Sequence, residues 1–229
     1  MLSTRLDNID HISDVLLEVG AQYFLPINEN LVLGTGIVYK PQMALSTTRQ
    51  YIGQNYFSSS NSDIELGRDT IVYNPSVKGD LEFPMGLGGG VSLQHPDRFI
   101  ASLDVNWRNW KEYQSFGRSD SLQNSFTVNV GGEYIPKHNS ITSYWHRVRY
   151  RLGFRYENTY LSVNGQPIKE FGISFGLGFP FRRSKSMLNF AFEFGNKGTV
   201  KNNLVQENFI KFTFGLTIYE RWFVKSKYK

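Results

Sequence analysis

From residue 80 to residue 219 large apolar side chains recur at every second position, with Gly, Ser, Thr, Asn or a charge between them. That period belongs to a strand with one apolar and one polar face. The pattern is sharpest in Phe171-Gly172-Ile173-Ser174-Phe175-Gly176-Leu177-Gly178-Phe179, where one face is large and greasy and the other nearly bare. Read along the whole chain, it predicts about nine strands, near 12–26, 29–54, 77–95, 98–113, 122–136, 144–161, 168–182, 186–197 and 205–219. The segment 29–54 alternates poorly and is kinked by Pro41.

Because residues i and i+2 share a side, each strand can be given a facing. On 144–161 one set is Val148, Tyr150, Leu152, Phe154 and Tyr156, and the other is Arg147, Arg149, Arg151, Arg155 and Glu157. No soluble core would accept the second set. The neighbours agree: Phe126, Val128 and Val130 oppose Thr127, Asn129 and Glu133, and Leu188, Phe190, Phe192 and Phe194 oppose Asn189, Glu193 and Lys197. The fold class expected is all-β, an antiparallel transmembrane β-barrel with its apolar face toward lipid and its charges toward the lumen. Tyr144 and Tyr156, twelve residues apart, would lie about 40 Å apart along one strand, enough to span a bilayer when tilted. Trp107, Trp110 and Tyr113 would then line an outer rim, and Tyr134, Tyr219 and Trp222 an inner one. A soluble β-sandwich with aromatics in its core is the competing arrangement.

Connections alternate in length. Those at 27–28, 95–97, 137–143 and 182–185 are brief, and those at 55–76, 114–121, 162–167 and 198–204 are longer or richer in turn residues. The contrast puts the first set in the periplasm and the second outside.

Composition fits that frame. Aromatics make up 15% of 229 residues, with 18 Phe, 13 Tyr and 4 Trp, more than a soluble sandwich needs. Mean hydropathy is −0.36, and no run approaches the ~18 apolar residues of a spanning helix. Helical membrane proteins are thereby excluded, whereas a barrel with a polar lumen is not. There are no cysteines, so disulfides and thiolate metal sites are excluded too. The net charge of +5 is spread along the chain, which argues against a nucleic-acid partner.

Candidate chemistry is sparse. Gly172-Ile173-Ser174-Phe175-Gly176 matches the G-x-S-x-G string of a nucleophile elbow, but the alternation runs straight through it where that motif needs a sharp strand-to-helix turn. His11, His95, His138 and His146 are scattered, with no metal-ligand spacing. Gly86, Gly88, Gly89 and Gly90 do not form a phosphate-binding fingerprint. No catalytic, cofactor-binding or metal-ligating residue is expected, and no enzyme activity. What remains is the row Arg147, Arg149, Arg151 and Arg155, with Glu133 and Glu170 on the inferred neighbouring strands. It reads either as a ladder bracing the wall or as a cationic strip drawing an anionic solute, such as a carboxylate headgroup, into the lumen.

The runs Leu81–Ser92, Asp104-Val105-Asn106-Trp107-Arg108-Asn109-Trp110 and Gly131-Gly132-Glu133-Tyr134-Ile135-Pro136 resemble the C-terminal half of the FadL-type outer-membrane transporters, the long-chain fatty acid transport family. So does the ending, Phe171–Pro180 with Glu220-Arg221-Trp222-Phe223. The resemblance implies a barrel of about fourteen strands in which an N-terminal hatch plugs the lumen and hydrophobic ligands diffuse through the wall. Against that, the chain reads as a single β-barrel domain over 1–229 that lacks the hatch and the first strands. Nine strands break the even-number rule, and the N-terminus carries no signal sequence, so a C-terminal portion of a longer protein is expected. The expected function is outer-membrane passage of a hydrophobic or amphipathic molecule such as a long-chain fatty acid, with that molecule and outer-membrane lipid as partners. The alternative is a non-transport barrel serving as a scaffold or secretion-system partner.

Overall fold

The computed structural model describes residues 2–58, 65–181, 184 and 186–219. Among them the chain forms fourteen strands: β1 (Leu2–Ile12), β2 (Val19–Asn28), β3 (Leu31–Lys40), β4 (Met43–Ser58), β5 (Glu65–Phe83), β6 (Gly86–His95), β7 (Phe99–Arg108), β8 (Gln114–Ser115), β9 (Arg118–Ser119), β10 (Ser125–Tyr134), β11 (Arg149–Val163), β12 (Gln166–Pro180), β13 (Met187–Gly198) and β14 (Gln206–Thr217). The only helices in the described residues are 3-10 turns at Trp110–Glu112, Trp145–Arg147 and Lys201–Asn203. Among the described residues no helix is long and apolar enough to cross a membrane.

The strands sort into two compact units, each with its own sheet. The first holds β1, β4, β5, β8 and β9, in the order β1-β4-β5-β8-β9. Its packed face is small. Leu45, Thr47 and Leu81 are buried, and Phe83 meets Trp110 and Tyr113 at ring distances of 6.1 and 6.0 Å. Arg49 braces this face with two hydrogen bonds to Asp10, and its guanidinium lies 4.0 Å from the centre of the Phe116 ring.

The second unit is a sheet of nine strands in the order β14-β13-β12-β11-β10-β7-β6-β3-β2. Seven of its eight neighbouring pairs have antiparallel registers that run the length of the strands. The eighth, β3 with β6, brings Gly34 against Ser92 and Gly88 against Val38, so it too is antiparallel. Nine alternating strands leave β2 and β14 running in the same direction. Strands of 10 to 15 residues match the ~9–11 residues needed to cross a bilayer, with extension beyond it.

Few of the described apolar side chains of this sheet are buried. Among the described residues the buried apolar side chains are Leu45, Leu81, Ile135 and Val148, while Leu152, Phe175, Phe212 and Phe214 are 50–78% exposed. A soluble sandwich would bury that row against a second sheet. A barrel wall turns it to lipid instead, and the all-β outer-membrane barrel architecture accounts for it.

Several sequence expectations are corrected. The strand foreseen at 29–54 is broken at Pro41-Gln42 and the one at 77–95 at Pro84-Met85, and at both breaks the chain passes from one unit to the other. Proline lacks the N–H that a ladder needs, so the breaks fall where it stands. The long loop foreseen at 55–76 is largely strand, belonging to β4 through Ser58 and to β5 from Glu65. The connection foreseen at 162–167 narrows to Asn164-Gly165, both at positive φ (50° and 72°), as a two-residue hairpin turn requires. The segment expected as a brief turn at 137–143 is part of a folded stretch that ends in the 3-10 turn Trp145–Arg147. Tyr144 adopts an αR conformation at the start of that turn, so it does not mark one end of a strand running to Tyr156. Val148, assigned to the lipid face, is fully buried.

Candidate functional site

The polar face of the nine-stranded sheet gathers its charges on β10 to β13. Glu133 of β10 lies opposite Arg151 of β11, and its carboxylate accepts a hydrogen bond from Arg151 Nε at 2.7 Å and another from Arg149 at 2.8 Å. Arg151 also donates 2.8 Å to Asn189 Oδ1 of β13. One side chain therefore ties β10 to β13 across the two strands between them. Further along, Arg155 donates to Glu170 of β12 at 2.7 Å and to Glu193 of β13 at 3.1 Å, and Lys197 stands 3.6 Å from Glu170.

Glycines make the room. Arg149, Arg151 and Arg155 lie opposite Gly178, Gly176 and Gly172. A Cβ on Gly176 would come 3.2 Å from the Arg151 Cβ, and one on Gly172 would come 2.7 Å from a Glu193 oxygen. The face of β12 that looks bare in the sequence is thus covered by side chains from its neighbours. The three carboxylates are 13–24% exposed and the three arginines 36–40%. Charge-assisted hydrogen bonds there are stronger than at a free surface but still partly screened by water.

Arg147 does not join this ladder. It lies in the 3-10 turn before β11, its guanidinium is 5.1 Å from the Tyr144 ring, and its buried Nε has no hydrogen-bond partner. The spacing 147, 149, 151 predicted one continuous row, and the turn takes its first member off the strand. Glu193, Asn189 and Lys197 were placed on the polar face by alternation, but their partners depend on register, which alternation alone does not specify.

The aromatics foreseen as rims scatter more widely. Trp107 lies opposite Leu87 and Phe126, and Tyr134 opposite Phe99 and Tyr150. Tyr156 pairs with Val128 and Phe171, and Tyr219 follows the end of β14. Trp110 and Tyr113 do not extend the rim of β7: they sit in and after a 3-10 turn that belongs, with Phe83 on which they pack, to the five-stranded unit. Tyr144 stacks on Phe179, with ring centres 6.5 Å apart, and its hydroxyl donates to the Pro180 carbonyl at 3.1 Å. Trp222 lies outside the described residues.

A second feature of the polar face is a glycine-lined trough of about 440 Å³ over β2, β3, β6 and β7. Gly34, Gly36, Gly88 and Gly90 form its floor, with Asp104 and Asn106 beside them. Residues 172–176 lie in the middle of β12 and not on a strand-to-helix turn.

Charges braced on one face and aromatics bared on the other define an outer-membrane barrel wall. The chain belongs to the BamG family, whose model matches residues 1–229. BamG is an outer-membrane family, and the protein is located in the outer membrane. Among solved structures the chain is similar to the CymD monoaromatic hydrocarbon channel, with 14% identity and a TM-score of 0.47 over 89% of this chain and 51% of that one. It spans about half the length of that channel, a likeness too distant to carry function. No curated protein sequence matches.

Proposed function

We propose that the protein is a non-catalytic barrel component that serves the outer-membrane β-barrel assembly machinery, the BAM complex with which its family name is associated, as a scaffold and not as a transporter. The observation that supports this most is the closure of the ladder on itself. Arg149, Arg151 and Arg155 all direct hydrogen bonds to Glu133, Glu170 or Glu193. A strip built to recruit an anionic solute would keep surplus positive charge facing the lumen. Here the charges hold four strands in register, as a load transmitted through the wall would require.

A second reading, passive passage of a hydrophobic or amphipathic molecule such as a long-chain fatty acid, draws on the trough over Gly34, Gly36, Gly88 and Gly90. Depleting the full-length gene product separates the two. The scaffold reading expects the heat-modifiable, folded fraction of other outer-membrane barrels to fall several-fold, with uptake of labelled fatty acid unchanged. Loss of uptake with normal barrel assembly would replace it with the transport reading.

A further inference from the structure

One connection of the nine-stranded sheet is out of scale with its neighbours. β2–β3 and β6–β7 turn through Glu29-Asn30 and Pro96-Asp97-Arg98, the tight turns that barrels keep on the periplasmic side. At that same end, where Tyr134 lies opposite Phe99, the chain runs from residue 135 to residue 148 before β11 begins. The excursion is folded, not slack. Lys137 N–H donates to the His146 carbonyl at 2.8 Å and closes its base. Within it Ser140 N–H donates to the Lys137 carbonyl at 3.2 Å, and Ser143 N–H to Ser140 Oγ at 3.3 Å. Ile135, Ser140 and Val148 are buried. Tyr144 and Trp145 fasten one side to the wall, since both rings pack on Phe179.

What this locked segment holds outward is apolar and cationic. Ile141 is 100% exposed, so its side chain rests on no part of the wall and stands clear of it. Trp145 is 61% exposed. Lys137, His138 and His146 of the same segment are exposed too, and Arg147 ends it with a guanidinium 5.1 Å from the Tyr144 ring and no salt bridge among the described residues. Residues 135–148 contain no Asp or Glu. Asp97 reaches the segment from the β6–β7 turn, 3.7 Å from His138 Nδ1, and the adjoining Arg98 offsets that charge. We propose that the segment is a docking surface for a soluble periplasmic domain of the assembly machinery, one that presents an apolar pocket rimmed by carboxylates. The inference rests on the scaffold reading and deepens it. Ile141 fills the pocket, Trp145 packs at its edge, and Lys137, His146 and Arg147 face the carboxylates. A tip locked by its own hydrogen bonds loses little freedom on binding, and Trp and Arg beside an apolar anchor are the residue types that carry interface energy. A rim of one sign selects an acidic partner and repels a basic one. A lipid surface is the poorer match, because Tyr144, the ring that lies along the wall, is already stacked on Phe179 with its hydroxyl bonded to the Pro180 carbonyl, while Ile141 touches none of that wall.

A photo-crosslinking residue in place of the exposed Thr142, carried by the full chain in living cells, reads the contact. The expected result is one protein adduct, with a subunit of the assembly machinery, mapped to a carboxylate-rich face of its periplasmic domain. Ile141→Asp, and independently Lys137→Glu with His146→Glu, should each lower that adduct roughly five-fold or more in variants that keep the heat-modifiable migration of a folded barrel. The same probe in place of Val200, 71% exposed in the connection between β13 and β14 at the opposite end of the sheet, should not give it. Crosslinks to lipid alone overturn the proposal, as does a protein adduct that neither folded variant reduces. An adduct with an acidic protein outside the machinery, reduced by both variants, upholds the docking surface and removes the scaffold reading. Lipid crosslinks alone, in cells where depletion still lowers barrel assembly, remove the docking surface and leave the scaffold reading standing.

Discussion

Phe192→Arg is expected to destabilise the folded protein in lipid by about 2–4 kcal/mol, the cost of an arginine facing the hydrocarbon near the middle of a barrel strand. Ala191→Arg, one residue away on β13, is expected to change stability by less than about 1 kcal/mol, because lumen positions tolerate charge. Phe192, in the middle of β13, lies opposite Phe175 and Phe212, and its ring meets that of Phe212 at 5.1 Å. Ala191 lies opposite Gly176 and Thr213 on the polar face. The pair isolates facing from strand identity, since both changes put the same side chain on the same strand. Denaturant midpoints in vesicles, followed by heat-modifiable migration, read the difference.

The second large effect is expected at Glu133. Its carboxylate is shared by Arg149 and Arg151, and at 18% exposure it is the more enclosed partner of each pair. Glu133→Gln leaves two guanidinium groups facing one another without the anion between them. The expected loss is about 2 kcal/mol, below the value for a fully buried pair because the arginines remain in partial contact with water. Arg151→Gln alone should cost less, since Arg149 still has its partner. The double variant Glu133→Gln/Arg151→Gln should be more stable than the sum of the single losses, which is the mark of direct coupling. Raising salt should shrink the coupling, as expected of partly exposed charges. If the two single losses simply add, the ladder does not brace the wall.

The two-residue period made legible the all-β class and which residues share a face along β7 and β10 to β14, because a half-apolar wall must repeat its chemistry at every second residue whatever its neighbours are. The ladder was legible in part. Arg149, Arg151 and Arg155 stand on one face by alternation, and Glu133 and Glu170 were inferred as their partners. Glu193, by contrast, reaches Arg155 across the strand between them only because Gly172 leaves space there. That depends on a register that single-strand periodicity does not carry. The five-stranded unit was hidden, because β4 and β5 alternate poorly and pair through several bulges. Tyr144, Arg147 and Val148 show the opposite failure: an apolar–polar alternation continued past the residue where the strand begins, and the 3-10 turn at 145–147 took those side chains elsewhere.

The central claim is that the apolar face of the nine-stranded sheet meets lipid and the charged face does not. The sequence has no cysteine, so single cysteines can be introduced along β11 from 150 to 157 and spin-labelled one at a time in vesicles. Labels at Tyr150, Leu152, Phe154 and Tyr156 are expected to collide with oxygen dissolved in the bilayer, and those at Arg151, Gly153, Arg155 and Glu157 with a water-soluble relaxer, in strict alternation. A profile without that two-residue period, or with the two sets exchanged, would contradict the account.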